Sequence, residues 1–355
     1  MIAVTGEALI DLVIDPDGRV AAQPGGGPFN TARTIGRLGL APAFLGGLSR
    51  DRFGDRLQAS LGRDGVTLAV PRTVAPTTLA LADVDADGVA RYHFYLAGTA
   101  ACALEYPQLS AALPAGVTAL HAGSVALMAE PIATGIERLI ASDVPTDALV
   151  MIDPNCRPEA VTDREAYLAR LSRILRRADV VKVSIEDLAY LAPGVPAHAA
   201  AAGLLGQGPA LVLITDGPRT AHALMPGQEV SVEVPAVQVV DTIGAGDAFG
   251  GAFLAWWSAN GLTAFDLHRC GQVREALQAA VEVAAVTCTR AGAEPPWLSE
   301  LTGRPGWESG LGTGGPSRLR SDRSGRVRSA TGVRRPQWGS STSWSSGRAS
   351  SSPSR

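Results

Sequence analysis

The run Asp241-Thr242-Ile243-Gly244-Ala245-Gly246-Asp247-Ala248-Phe249 sets two glycines, an alanine and a carboxylate where a loop passes into a helix. Upstream, Val230-Ser231-Val232-Glu233-Val234 alternates with the period of a strand. Downstream, Gly250-Gly251-Ala252-Phe253-Leu254-Ala255-Trp256 reads as a buried helix. The first amides of a helix lack partners within it and carry the positive end of its dipole. Gly244, Ala245 and Gly246 would therefore form an anion hole that a phosphate can approach closely. Asp247 would repel that phosphate unless it has a task of its own. Taking a proton from a hydroxyl that attacks the phosphate is such a task, with the amides stabilising charge on the transferred group. That chemistry belongs to a kinase acting on an alcohol. A bare G-x-G-D is also ordinary helix capping, although the full run is longer than a cap requires. It contains neither Gly-Lys-Ser/Thr nor G-x-G-x-x-G, so it is not a Walker-type or dinucleotide loop.

A second glycine-rich turn, Gly25-Gly26-Gly27-Pro28-Phe29-Asn30, leads into a helical pattern with Ile35, Leu38 and Leu40 as apolar positions. Its glycines would let a ligand reach backbone amides, and Asn30 can both donate to and accept from hydroxyls; the plain alternative is a turn. The elements that must position these groups alternate. Residues 117–121, 149–153, 180–183 and 211–215 read as buried strands separated by helical stretches, which predicts a parallel sheet with helices on both faces. Ligands meet such sheets at the carboxyl ends of the strands. The polar residues there fall into three groups: Asp153, Asn155 and Arg157; Lys182, Ser184 and Asp187; Thr215, Asp216 and Gly217. Asp15-Pro16-Asp17-Gly18 predicts a turn after an apolar segment holding Glu7 and Asp11, and residues 79–95 predict a hairpin with Asp87-Gly88 at its bend. Ser49-Arg50-Asp51-Arg52-Phe53-Gly54-Asp55 precedes another helix, with Asp51 as its cap or as a ligand contact.

The run ending at Asp247 resembles, almost letter for letter, the D-T-x-G-A-G-D signature of the PfkB (ribokinase-like) carbohydrate kinases, and the likeness extends in order over residues 1–300. The resemblance implies a three-layer α/β/α sandwich with a central, mostly parallel sheet of eight or nine strands. A small β lid would be built from strands near 11–22 and 77–97. It implies Asp247 as the catalytic base and Gly244, Ala245 and Gly246 around the γ-phosphate. The G-G-x-x-x-N loop (Gly26, Gly27, Asn30) and Asp11 would hold the sugar. Arg157, in a D-x-N-x-R stretch, would contact substrate or the transferred phosphate. Lys182-Val183-Ser184-Ile185-Glu186-Asp187 stands where the family has N-x-x-E; Ser184 replaces Asn, and Asp187 or its neighbour Glu186 would serve magnesium through water. Thr215 and Gly217 match the T-x-G turn that meets ATP. Asp241, with carbonyls of the closing segment 286–296, would hold a monovalent cation such as K+. The cofactors implied are ATP and Mg2+. Ser184, the Gly25-Gly26-x-Pro28-x-Asn30 loop and Phe94-Tyr95 look most like fructokinases, with 2-keto-3-deoxygluconate, ribose or a nucleoside such as adenosine as other substrates. A catalytically silent sugar sensor is the alternative of another class. The lid's outer face would serve a homodimer, as in some relatives.

Hydrophobic residues make up 46% of the 355, enough for a buried core. No apolar run reaches about 18 residues without interruption, so no membrane span is predicted and a cytoplasmic location is expected. Four scattered cysteines without a C-x-x-C pair point away from a zinc site or disulfide framework and toward reduced, mostly buried thiols. The formal charge of −3 divides unevenly. From Arg304 onward ten Arg face Glu308 and Asp322, about +8, leaving a body of about −11 that is unsuited to nucleic acid. A kinase domain over 1–302 is thus followed at 303–355 by an Arg/Ser/Gly-rich tail with little to bury, for which disorder is expected. Such a tail suits RNA or membrane surfaces, and translation past a shifted frame in GC-rich DNA yields the same composition.

Overall fold

The structure is a computed structural model and describes residues 1–14, 17–84 and 90–307. In chain order the first elements are β1 (Ile2–Thr5), β2 (Leu9–Ile14), β3 (Val20–Gly25), α1 (Gly27–Arg37), β4 (Ala43–Leu45), α2 (Arg52–Arg63) and β5 (Thr67–Leu68). Then come β6 (Thr78–Val84), β7 (Ala90–Tyr95), α3 (Tyr106–Ala112), β8 (Ala119–Gly123), α4 (Ile132–Ser142), β9 (Leu149–Asp153) and α5 (Arg164–Leu175). The chain continues through β10 (Val180–Ser184), α6 (Ile185–Leu191), α7 (Ala197–Leu205), β11 (Leu211–Thr215), β12 (Thr220–Met225), β13 (Gln228–Glu233), α8 (Ala245–Ala259) and α9 (Cys270–Cys288).

Among the described residues the strands form two sheets. The large one has nine strands in the order β13-β12-β11-β10-β9-β8-β1-β4-β5, parallel except where β12 and β13 turn back antiparallel at one edge. Its central strands are buried along their length, so they read as unbroken apolar runs rather than alternating ones. The strand expected at 117–121 begins at Ala119, the register partner of Ile2 at the start of β1, and runs on to Gly123. The small sheet has the order β3-β2-β6-β7 and forms the lid. The bends at 15–16 and 85–89, and the tail from 308, lie outside the described residues. Packing does not stop at Thr302: Trp307 is buried, its indole donating to the Ala279 carbonyl of α9 at 3.1 Å. All four cysteines are free; Cys102 and Cys156 are buried, Cys270 and Cys288 partly so. No helix among the described residues is long and apolar enough to cross a membrane.

Helix α8 is buried along nearly its whole length, which its alanines, glycines and aromatic residues permit. It packs between α1 and α9. At Gly251 a Cβ would lie 2.8 Å from Cβ of Thr34 and 2.9 Å from the Thr31 carbonyl, so only glycine lets α1 and α8 approach this closely. The N-termini of the two helices are thereby brought side by side.

A buried charge network locks α1 in place. Arg33 donates to Asp64 at 2.6 Å, to the Ala293 carbonyl at 2.8 Å and to Glu294 at 2.8 Å, while Arg37 pairs with Asp64 and Glu294 and donates to the Pro295 carbonyl. Burial alone would raise the Asp64 carboxyl; the guanidiniums of Arg33, Arg63 and Arg37 outweigh it and hold the group below its ordinary value. Asp64→Ala should cost about 3–5 kcal/mol in urea unfolding, because two arginines buried to a few percent lose their shared partner. In the wild-type chain the Asp64 contribution is present above the unfolded carboxyl value of about 3.9 and is lost as pH falls through the lower folded value.

Candidate active site

Asp247 is the third residue of α8, one turn after the N-cap Gly244. Gly244 has φ 75°, and a Cβ there would stand 2.4 Å from Cβ of Ala293, so both its conformation and its surroundings demand glycine. The Asp247 side chain is 9% exposed and accepts from Asn30 Nδ2 at 2.9 Å. Since the Asn30 amide must turn its NH2 toward a carboxylate, its Oδ1 faces away, buried and without a partner among the described residues. Asn30 thus sets a free acceptor beside the Asp247 carboxylate.

Around these groups lies a cleft of about 500 Å3, a size typical of small-molecule sites. Its floor is made by Gly26, Gly27 and Asn30 of α1, by Gly244, Gly246 and Asp247 of α8, and by the ends of β8 to β10 with the loops that follow. Its roof is one face of the lid: Leu9, Asp11 and Val13 of β2, Ala80 and Ala82 of β6, Tyr92 and Phe94 of β7. These residues are two apart along each strand, so the lid turns a single face to the cleft. Two cleft residues that are not glycine have positive φ, Ser124 at 59° and Asn155 at 38°, and Asn155 Nδ2 donates to Ser124 Oγ at 3.5 Å. Backbone strain is concentrated where the lining side chains must converge.

Burial dominates the electrostatics. It raises the Asp247 carboxyl against the Asn30 hydrogen bond and the charges of Lys182 and Arg157. Asp11 is pushed up to about 7 by burial and then by the Asp247 charge, with Arg157 opposing. Glu7 is raised to about 7 by burial although it accepts from the Gly27 amide at 3.1 Å and the Ala126 amide at 3.0 Å. Beneath the first turn of α8, Lys182 Nζ pairs with Asp153 Oδ2 at 2.7 Å, both groups about 5% exposed. A buried carboxyl of raised proton affinity beside bare helix amides and the free Asn30 acceptor is the chemistry needed to take a proton from an alcohol and stabilise an anion.

The structure brings together Asp11, Gly26, Gly27, Asn30, Arg157, Gly244, Gly246 and Asp247. Ser184, Thr215 and Gly217 stand on neighbouring strand ends outside the cleft lining, with Ser184 and Thr215 paired in register. Asp187, expected to serve magnesium through water, also holds backbone in place. Its oxygens accept from the Ser184 amide at 2.8 Å and the Cys156 amide at 2.7 Å, tying the start of α6 to the loop after β9. Glu186, beside it, is exposed. Asp241 accepts from the amides of Ile243 and Gly292, joining the loop before α8 to the closing segment. Asp51 caps α2 through the Gly54 amide at 2.8 Å and also binds Thr77 at the root of the lid, a structural role. Glu7 and Ser124 carried no functional reading in the sequence; the available signal was an acid lodged in an apolar N-terminal run.

The model of the pfkB family carbohydrate kinases matches residues 1–300. The chain belongs to that family. It is 35% identical over 261 residues to a fructokinase of Rhizobium leguminosarum bv. trifolii, covering 72% of this chain and 79% of the relative. Among solved structures it resembles a fructokinase with bound ATP from Xylella fastidiosa, at TM-score 0.74 and 32% identity over 82% of this chain and 93% of that one. It also resembles a Vibrio cholerae fructokinase variant in its fructose, ADP and potassium ion bound form, at TM-score 0.72 and 29% identity over 82% and 93%. The nine-strand sheet with its four-strand lid is the ribokinase-like α/β architecture that the sequence implies.

For this pfkB kinase, Asn30→Ala should lower kcat/KM by about tenfold to a hundredfold, the worth of a hydrogen bond to a charged group. Loss of the donor raises the Asp247 carboxyl further, so the acid limb of the pH–rate profile moves to higher pH; an unmoved limb contradicts the assignment.

Proposed function

We propose that this chain is an ATP-dependent sugar kinase that phosphorylates a primary hydroxyl, with fructose to fructose 6-phosphate as its reaction. The observation that carries the proposal is the buried Asp247 carboxylate at the N-terminus of α8, set against Asn30 at the N-terminus of α1. The sugar lies between Asp11, the Gly26/Gly27 loop and Asn30, whose free Oδ1 accepts from one hydroxyl. Asp247 removes the proton from the attacking hydroxyl while the amides of Ala245 and Gly246 and the Gly244 turn hold the transferred phosphate. Arg157 adds positive charge from the opposite wall; its guanidinium also donates to the carbonyl of Cys156 at 3.0 Å, which steadies it. The lid excludes water that would otherwise accept the phosphate.

ATP lies toward the ends of β10 and β11, near Ser184, Thr215 and Gly217. Magnesium, when bound, neutralises charge on the nucleotide phosphates. The exposed Glu186 suits a hydrated ion better than Asp187, whose two oxygens already accept backbone amides. A monovalent cation such as K+ would sit at the loop joined by Asp241 and Gly292, with carbonyl oxygens of the closing segment 286–296 as its main ligands because both Asp241 oxygens already accept amides; the potassium ion bound form of the Vibrio fructokinase supports this reading.

Fructose is favoured by the named relatives, which are fructokinases at about a third identity. A nucleoside such as adenosine is the second reading, because Tyr92 and Phe94, stacked with ring centroids 6.3 Å apart, line the roof and would pack on a base. Coupled ADP release over fructose, 2-keto-3-deoxygluconate, ribose and adenosine decides between them: fructose should give the highest kcat/KM, and inert fructose with active adenosine reverses the order. Asp247→Ala should reduce phosphorylation by about four orders of magnitude or more while sugar binding persists in calorimetry. Near-normal turnover of that variant removes the base from the mechanism.

A further inference from the structure

Every basic residue of this chain but one is arginine; among 31 Lys and Arg the exception is Lys182. That single lysine sits at the active site, 4% exposed, near the carboxyl end of β10 and in the cleft lining. We propose that Lys182 is a positioning residue for phosphoryl transfer, setting a positive charge beneath the first turn of α8 where Asp247 and the transferred phosphate meet. The inference rests on the kinase reading above.

Its geometry supports a task beyond packing. The stem of Lys182 runs under α8: a Cβ at Gly250 would lie 3.6 Å from its Cδ, and one at Gly246 would lie 3.2 Å from its Nζ. The ammonium is therefore directly below Gly246, the third residue of the anion hole. The stem thus runs closely along the glycine face of α8, which brings a compact ammonium, rather than a broad guanidinium, up against the helix backbone. The ion pair with Asp153 is also incomplete. Asp153 Oδ1 is buried and has no partner among the described residues, whereas a purely structural buried pair needs its remaining lone pairs satisfied.

Charge balance around Asp247 gives the pair its meaning. Asp11 faces Asp247 from β2 and Asp153 faces it from β9, Asp187 of α6 faces Asp153 and Lys182, and Glu7 stands on the cleft wall. Against these acids stand Lys182 from β10 and Arg157 from the loop after β9. His121 of β8 adds no charge, because burial and the Lys182 ammonium depress it to about 3. Lys182 is thus the buried cation among carboxylates, and without it a proton on Asp247 is favoured. A protonated Asp247 cannot accept the hydroxyl proton.

The test is the pH dependence of kcat/KM for Lys182→Met, a neutral side chain of similar length, alongside its melting temperature. Turnover at pH 7 should fall about a hundredfold or more, and the acid limb should move to higher pH so that raising the pH restores part of the loss. A variant that melts like the wild type, with its acid limb unmoved and kcat within twofold, overturns the proposal. Should Lys182→Met fail to fold, Asp153→Asn supplies the answer: the ammonium is freed and a negative charge removed, so the acid limb should move to lower pH, and an unmoved limb again overturns it. Wild-type protein that turns over no sugar sinks the kinase reading and this inference with it. Wild-type turnover with unaffected variants sinks the inference alone.

Discussion

A carboxylate is kept inside this protein at a place where two helices begin. Burial works against its charge, and so does its mutual repulsion with Asp11 and Asp153; the Asn30 donor and the charges of Lys182 and Arg157 work for it, as does its place in the first turn of a helix. The resulting balance leaves Asp247 with a raised proton affinity, which suits the proton removal proposed for it. Nearly everything else in the molecule serves to hold that balance still. Had Asp247 been on the surface, water would have screened each of these influences and the group would behave as an ordinary acid.

Holding it still is the work of three segments far apart in the chain. Helix α1 supplies Asn30, α8 supplies Asp247, and the stretch around Ala293 closes against Gly244. Arg33 and Arg37 reach from α1 to that stretch and to Asp64, so the two helix ends share one buried electrostatic clamp on the side away from the cleft. The interlocking at Gly251 and Thr34 adds a steric constraint to the charged one. A sub-ångström slip of either helix would separate donor from acceptor.

Much of this was legible in the amino-acid order. The strands 149–153 and 211–215 announced themselves as unbroken apolar runs, since a buried parallel strand has no wet face to alternate with. The glycine-carboxylate run carried its chemistry in its residue types. Asp187 was harder, because an acid at the start of a helix looks alike whether it meets a metal or caps backbone amides, and its bond to the Cys156 amide, 31 positions away in sequence, leaves no trace in the pattern. The same holds for Glu7, which joins the Gly27 turn to Ala126, partners that a sequence pattern cannot pair. Lys182 stood in plain view as the one lysine, but its slot beneath Gly246 and Gly250 depends on a helix 60 residues later packing over β10. Long-range contacts of this kind leave no local trace.

One junction in the lid has a mechanical consequence. Strand β3 ends at Gly25 and α1 starts at Gly27, so a single residue separates the cover from the helix that bears Asn30. The cover and the helix bearing Asn30 therefore share almost no slack chain, and the far strands are fastened too: the Ala100 amide donates to the Pro76 carbonyl at 2.8 Å and Thr77 binds Asp51. The cleft's roof is pinned to its floor at both edges, so the spacing between Asp11 and Asn30 is set by covalent chain rather than by side-chain packing alone.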